Sequence, residues 1–581
     1  MGSEMCIRDR NPLDKHSDIT LSNGNLTITN ASTPAWRAGG STGHGRPNSG
    51  KYYFETQLTT IVEASGYNHF AGVLIQNNYE FVGGDFGGDA NGYCIGAYTG
   101  SFRTRNNGAY GSSVTKTTTT GAILQVAIDV DNGKLWFGCD NVWASGSPYS
   151  NTSPSYTFTA GTPFSPHFAV FGADASMDVN FGQKPFKFPP PDGFQPLTSS
   201  TARPDTVVPR PDQYVRTTLY TGDDNDGRTI TLGHEADLVW VKGRNAAAGH
   251  LWQDTVRGPG QTVLATHSSA LQTTETYGQI SAFTKNGITV TSGSTGDENI
   301  NYPNRTYVAW SWKAGGSKGT FNVDDVGYAT AAAAGLSASG NSWDSDPTGA
   351  SIGTKQGFSI IKHSGTGSTG SLPHGLTQKP DLLITKAYNG TTGNWNVYTD
   401  LFDGSYDYMY FNDNAHKGDS SLSAFTSELF YYGYTTNDYI HYLWHSVPGL
   451  QKFGVYTGNS STNFVSLDFR PALIWVKRAV ANSSADTTTN NSAWTIMDST
   501  RLSYNGLTPN HLYSDWTVSE GYRGNGSSTT TLVDMTLEPM SNGFYLNGPA
   551  TETNSNTGTF LYCAWAEAPT FNLYGAQSNA R

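Results

Sequence analysis

Several stretches of this sequence begin as motifs of known chemistry and then break off. His234-Glu235 opens the pattern HExxH, whose second histidine would close a zinc site on one helical face, but position 238 is Leu and the segment reads as a loop running into a strand. GxSxG occurs at 39–43 (GGSTG) and 315–319 (GGSKG). A nucleophile elbow needs a strand before the serine and a helix after it, and neither site has the helix; with 66 glycines in the chain, chance matches are expected. No GxxxxGK[ST] phosphate loop occurs. DDND at 223–226 and Asp129-x-Asp131 space carboxylates as a calcium loop does. Counted from Gly222, however, the first ligand is missing and the twelfth residue is Gly233, where an EF-hand needs Glu. The stretch 223–226 therefore reads as turn formers at a hairpin tip.

A carboxylate and an amine recur instead. Asp254, Asp400 and Asp498 each lie two strands from Lys242, Lys386 and Lys477. Such an Asp could be a repeated ligand for an ion or a sugar hydroxyl, or it could hold its own turn or pair with the Lys of its unit. The structural role is expected, with Asp254 and Lys242 meeting at one sheet end. Aromatics among Asn, Gly and Asp give a second set: Tyr67, Tyr79, Tyr98, Tyr110 and Trp143 in apparent loops, with Asn68, Asp85, Arg103 and Arg105 beside them. Tyr and Trp mixed with Asn and Ser make adaptable, wet binding surfaces, although an aromatic in such a loop can equally cap the core. No catalytic residue, metal or cofactor is assigned.

The elements that must position these residues are strands. Short alternating runs separated by Gly, Asn, Asp, Ser and Pro fill the sequence, the pattern of antiparallel sandwiches. KYYFETQL at 51–58 alternates. The run 123–130 reads as a buried strand, joined to KLWFG at 134–138 through Asp131-Asn132-Gly133, a strong hairpin signal. The one weak helix candidate is the Ala-rich stretch 329–336. Prolines at 189–191, 196, 204, 209 and 211 mark a linker, since proline cannot donate to a sheet ladder.

Past the linker the sequence repeats three times. ADLVWVK at 236–242, PDLLITK at 380–386 and PALIWVK at 471–477 are versions of one strand, each following an apolar run that ends in glycine. A further strand and turn follow (HLWQDTVRG, WNVYTDLFDG, WTIMDSTR), and YVAWSWK, YIHYLWH and FLYCAWA close the units. In strict alternation Val308, Trp310 and Trp312 share one face of their strand, and the aligned faces of the other two strands are Ile440, Tyr442, Trp444 and Leu561, Cys563, Trp565, as a core-filling strand requires. Cys563 thus reads as packing. The expected segments are 11–197 (sandwich), 198–212 (linker), 213–316, 355–447 and 448–569 (repeats), 317–354 (a polar spacer with one apolar patch) and 570–581 (tail). MGSEMCIRDR at 1–10 resembles, over Met5–Arg10, a translated sequencing-adaptor fragment; the expectation is that the natural chain extends further.

Composition narrows the function. Of 581 residues only 14% are charged, the net charge is −12, and 13% are aromatic. A disordered chain has few aromatics, so the chain folds, with a surface of Ser, Thr, Asn and Gly suited to neutral hydrogen-bonded recognition. An acidic balance gives no footprint for a nucleic-acid backbone, and no apolar run is long enough for a membrane-spanning helix. Cys6, Cys94, Cys139 and Cys563 are scattered without CxxC and read as free thiols.

The first segment resembles a SPRY domain. SGKYYFE at 49–55, AGV at 71–73, YCIG at 93–96, VAIDVDNGKLWFG at 126–138, Trp143, NFGQKPF at 180–186 and PPPDGF at 189–194 carry the resemblance. It departs at Cys139-Asp140-Asn141, where the family has an Asn-Gly turn, which leaves that loop's conformation open. The resemblance implies two packed, curved antiparallel sheets, concanavalin-like in shape, and a non-catalytic module that binds partners through loops. The repeats, about 213–569, are similar to an uncharacterised module of marine bacteriophage virion or tail proteins. The expectation is an all-β chain of one SPRY-like sandwich and three sandwich-like units. It would be a virion or tail-associated protein, assembled in the host cytoplasm and working outside it. It would bind host surface glycan or protein and other virion subunits, with homo-oligomers possible and no nucleic acid or membrane insertion. The alternatives are a purely structural virion component and an accessory module of a carbohydrate-active enzyme.

Overall fold

A computed structural model of the protein describes residues 15, 18–31, 36–39, 47, 49–62, 69–75, 86, 88, 91–98, 100–198, 207–260, 264–272, 277–294, 299–341, 343–433, 436–461, 463–480, 492–501, 511–521, 536–540 and 542–569. Alternation translates into strands throughout. Among the described residues the single helical element is a 3-10 turn at Pro211–Gln213, and the Ala-rich stretch 329–336 forms turns.

Two sheets face each other in the first segment. One runs in the order Ile19–Ser22, Thr27–Asn30, Ser176–Asn180, Lys51–Thr60, Ile123–Asp129, Lys134–Cys139, Val142–Trp143. The other runs Trp36–Gly39, Phe164–Phe171, His69–Ile75, Gly92–Tyr98, Ser101–Asn106, Ala109–Tyr110. Their facing side chains, Phe54, Val126, Phe137, Ile95, Phe102 and Phe168 among them, make one core. The hairpin read at 131–133 is present, with Asp129 paired to Lys134. Gly133 sits at φ +61°, and a Cβ there would lie 2.1 Å from the Phe158 carbonyl, so only glycine fits. The glycine-free turn is resolved as well. Asp140 and Asn141 take φ 44° and 62°, and Cys139 pairs with Val142 around them. A two-residue turn with both φ positive matches strand twist, and Asp and Asn tolerate that region. The buried Glu55 ties the segment after the last long strand across the sheet, accepting from the backbone N–H of Lys187 and Phe188 at 2.8 Å and from Tyr53 Oη at 2.9 Å.

The three repeats share one architecture. In unit 1 the inner sheet runs Val215–Thr221, Thr306–Trp312, Leu238–Gly243, His250–Asp254. Unit 2 contains the same order as Phe358–Ser364, Asp438–Trp444, Leu382–Asn389, Asn396–Thr399, and unit 3 as Gln451–Thr457, Thr559–Ala566, Pro471–Val480, Thr495–Asp498. Each inner sheet is buried on both faces. Leu238 and Trp240 point into a core shared by all three units, while Val239 and Val241 pack under a small outer sheet belonging to unit 1. The shared core closes a ring: Trp240 meets Trp475 at 5.6 Å between ring centroids, Trp252 meets Trp395 at 5.4 Å, and Trp444 meets Trp565 at 6.4 Å. Cys563 is fully buried in this core.

Three expectations about segments need correction. The spacer 317–354 supplies strands Phe321–Val323, Val326–Tyr328 and Gly349–Gly353 to the edge of the unit 2 inner sheet. Gly349–Gly353 (GASIG) carries little apolar signal, and Phe321–Val323 and Val326–Tyr328 are three residues each, too short to show a period. Residues 207–212, expected as linker, dock on the ring, with Val208 in the shared core and the Val207 N–H donating to the Pro448 carbonyl at 3.0 Å. DDND at 223–226 is not a hairpin tip. The strand before it belongs to the inner sheet and Arg228–Thr231 to the outer one, so it turns a corner between layers.

Candidate functional site

The recurring polar residues converge at the seams between units. Each lysine crosses to a carbonyl of a neighbouring unit: Lys242 Nζ donates to Trp516 O at 2.6 Å, Lys386 Nζ to Ser269 O at 2.9 Å, and Lys477 Nζ to Asp413 O at 3.1 Å. The strand that follows repeats the gesture. Trp395 Nε1 donates to Ala265 O at 3.1 Å and Trp494 Nε1 to Tyr410 O at 2.9 Å, and His250 Nε2 lies 2.9 Å from Trp516 O. Unit 2 thus reaches into unit 1, unit 3 into unit 2, and unit 1 into unit 3. All three lysines are buried. Burial disfavours the ammonium form, lowering Lys386 to about 8, Lys477 below its usual range and Lys242 well below it. Asp515 beside Lys477 and Lys242 is pushed up by the same desolvation.

The carboxylates lie at the opposite sheet end, which corrects the expected Asp254–Lys242 contact. Leu238 pairs with Asp254 and Lys242 with His250, so the two share a face but stand about 13 Å apart at 3.3 Å per residue. Asp254 Oδ1 accepts from the N–H of Val256 and Arg257, and Oδ2 from Arg257 Nε at 2.7 Å and from Tyr442 Oη of unit 2 at 2.8 Å. Asp498 is held alike by Arg501 Nε at 2.6 Å and by Trp310 Nε1 of unit 1 at 3.0 Å. Asp400 is not their equivalent. Leu383 pairs with Tyr398, so Thr399 occupies the position, and its Oγ1 donates to Asp381 O at 2.8 Å. The arginine position there is Phe402, and the residue aligned with Trp310 and Tyr442 is Cys563. At two seams the Asp254 position is a carboxylate held by an arginine, and at the third it is a neutral threonine. Asp400 instead pairs with Lys379. The arginines were missed, although Asp-x-x-Arg (DTVR, DSTR) stands in both ionic units.

A cavity of about 400 Å³ opens where units 1 and 3 meet, lined by Gly249, His250, His267, Tyr277, Asn299 and Thr517. Burial, followed by the charge of Lys242, lowers His267 to about 4.

The sequence-predicted binding residues of the first segment are only partly brought together. Tyr67, Asn68, Tyr79 and Asp85 lie outside the described residues. Tyr98 ends the strand Gly92–Tyr98. Arg103 and Arg105 are not in a loop. They alternate along Ser101–Asn106 with Phe102, which faces the core, and so point to the sheet's other side. Arg105 Nη1 donates to Phe86 O at 3.2 Å, and its guanidinium lies 5.0 Å from the ring of Tyr110, itself 43% exposed. Trp143 belongs to the other sheet, in strand Val142–Trp143, where it packs against a buried cluster of Tyr53, Ala127 and Trp136 and meets Tyr149 edge-on at 6.2 Å.

The abandoned motifs have structural partners. His234 Nε2 contacts Ser311 Oγ at 2.7 Å. Asp223 Oδ1 accepts from Asn225 N and Asn301 Nδ2, and Asp129 pairs with Lys51 at 3.0 Å. Cys94, Cys139 and Cys563 are buried thiols outside any disulfide.

Residues 210–569 match the family described as "Domain of unknown function (DUF7483)", and the chain belongs to that family. Similar solved structures include the TRIM65 PSpry domain (14% identity, 30% of this chain and 88% of that one, TM-score 0.23). The SPRY domain of human HERC1 is similar too (14%, 30% and 99%, 0.23), as is stonustoxin (11%, 30% and 29%, 0.22). No curated protein matches the chain.

Proposed function

We propose that this member of the DUF7483 family is a non-enzymatic binding and structural protein, a bacteriophage virion or tail-associated component that attaches to host surface glycan or protein. The carrying observation is the closed ring. The three recurring lysines and the carboxylates Asp254 and Asp498, residues well suited to chemistry, are engaged across unit seams. A ring locked in this way is a rigid platform, and rigid elements hold recognition loops at low entropic cost. A surface low in charge and rich in Tyr, Asn, Ser and Gly suits wet, neutral recognition, and copies arrayed in a particle would turn weak contacts into firm attachment. Its other partners would be virion subunits. The test is retention of the full chain on host cells and on a glycan array. Retention on a host surface supports attachment; assembly into higher oligomers with no retention anywhere points to a purely structural component.

A further inference from the structure

The three units are copies of one design, so each serves as a control for the others. On the inner-sheet face turned to the small outer sheet, unit 1 pairs Val241 with Ala309 and unit 3 pairs Val476 with Tyr562. Beside them stand the half-buried Tyr220 and the buried Tyr456, with hydroxyls donating to Ile300 O and Thr553 O. These positions pack the outer cores of units 1 and 3. Unit 2 departs at every one of them: Thr385 pairs with His441, and His363 replaces the tyrosine. Among the described residues its outer sheet also has two strands, Gly370–Pro373 and Leu429–Tyr432, where the others have three.

At these positions unit 2 holds a cavity of about 160 Å³ lined by Thr385, Asn396, Tyr398, Tyr431, Tyr439 and His441 among others, beside an apolar core that includes Leu383, Phe430 and Leu443. Tyr398, Tyr431 and Tyr439 are partly exposed, so it communicates with solvent. His441 is 2% exposed; its Nδ1 lies 2.8 Å from Thr385 Oγ1, and its buried Nε2 has no hydrogen-bond partner. Behind it His363, 0% exposed, has neither ring nitrogen partnered. Burial keeps both imidazoles neutral, His363 at about 4 and His441 well below its usual range. An unsatisfied buried polar group costs about 1–3 kcal/mol and calls for an explanation. The sibling units show that the design has apolar or internally satisfied alternatives at these positions.

We infer that this pocket binds one pyranose ring of a neutral saccharide. An apolar cavity of about 150 Å³ suffices for benzene, so the volume takes the six-membered ring of one sugar, whose substituents extend through the open side between the partly exposed tyrosines. Tyrosine rings suit the C–H faces of a sugar, and neutral imidazole, hydroxyl and amide groups suit its hydroxyls, the mix of aromatic wall and few polar groups expected of a small-molecule site. The inference rests on the glycan branch of the proposed function and assigns it a place.

The test uses the full chain labelled with 13C-histidine and titrated with methyl glycosides of glucose, galactose, mannose and N-acetylglucosamine. At least one glycoside should shift the His441 and His363 imidazole signals. Replacing Thr385→Val and His441→Ala together, the pair that unit 1 carries, should weaken that glycoside at least tenfold while the unfolding temperature holds within a few degrees. His441→Gln, which keeps a neutral hydrogen-bonding group, should weaken it less. No shift with any glycoside, or equal binding by the double variant, overturns the inference. If host glycan retains the double variant as well as the parent, the pocket is refuted and attachment stands; if a glycoside binds the pocket but no host surface retains the chain, attachment fails and the pocket stands.

Discussion

The first segment and the ring use the two faces of a sheet differently. In the sandwich, the two sheets bury one face each against the other, and the opposite face of the first carries a separate small cluster around Trp136. Its buried polar group, Glu55, acts within the segment. In the ring each inner sheet is buried on both faces, one toward a core common to three units and one toward its own outer sheet, and the recurring polar groups bond from one unit to another. Damage to the sandwich should therefore stay in the sandwich, whereas damage to any unit should reach the whole ring.

The largest expected effect is at the shared core. Trp475 touches Trp240 and Trp312 of unit 1, Phe411 of unit 2 and Trp565 of its own unit. Trp475→Ala should destabilise the ring by about 3–5 kcal/mol and leave the sandwich transition in place, as read by calorimetry. Next is the ionic seam. Arg501→Ala strands a fully buried Asp498, and breaking a buried pair costs about 3 kcal/mol or more. Lys379→Ala, at the partly exposed Asp400 pair, should cost about 1 kcal/mol or less, both variants being read by urea titration. Glu55→Ala leaves two backbone donors and a tyrosine hydroxyl without their acceptor, so it should cost about 2 kcal/mol, confined to the sandwich.

Acidification gives a smaller contrast. Burial lowers His69 of the sandwich to about 4, and His234, His267, His363 and His374 of the ring likewise. A folded pKa below the unfolded value of about 6.5 gives stability that is present above pH 6.5 and lost as pH falls through 4. Asp237, raised to about 6, and Asp515, also raised, act in the opposite sense, but fewer groups pull that way. The ring's melting temperature should fall by several degrees between pH 7 and pH 4.5, and the sandwich's by less.

Much of the fold is legible in the sequence. Period-2 runs, the Asp-Asn-Gly hairpin and the recurring closing strand with its Trp face all reflect local rules that act within a few residues. Legibility ends where packing between units decides. Asp400 looks like the partner of Asp254 and Asp498, yet the register places Thr399 there, because a one-residue offset in a strand end is invisible until its pairing is known. Asp254 and Lys242 looked adjacent because antiparallel strands bring their termini together, but which residues meet depends on turn length. Of the strands in 317–354, Gly349–Gly353 is concealed by glycine, alanine and serine, which carry little hydrophobic signal, and the other two by their length of three residues. His441 and Thr385 gave no signal alone; only alignment with Ala309, Tyr562, Val241 and Val476 reveals them as exceptions.

The central claim is that the three units close around one core and hold each other. Native-state hydrogen exchange of the full chain carrying Leu473→Ala, a buried core position of unit 3, tests it most directly. Protection should fall together in the inner strands of units 1, 2 and 3 while the strand Ile123–Asp129 of the sandwich keeps its own. Loss of protection restricted to unit 3 would contradict it.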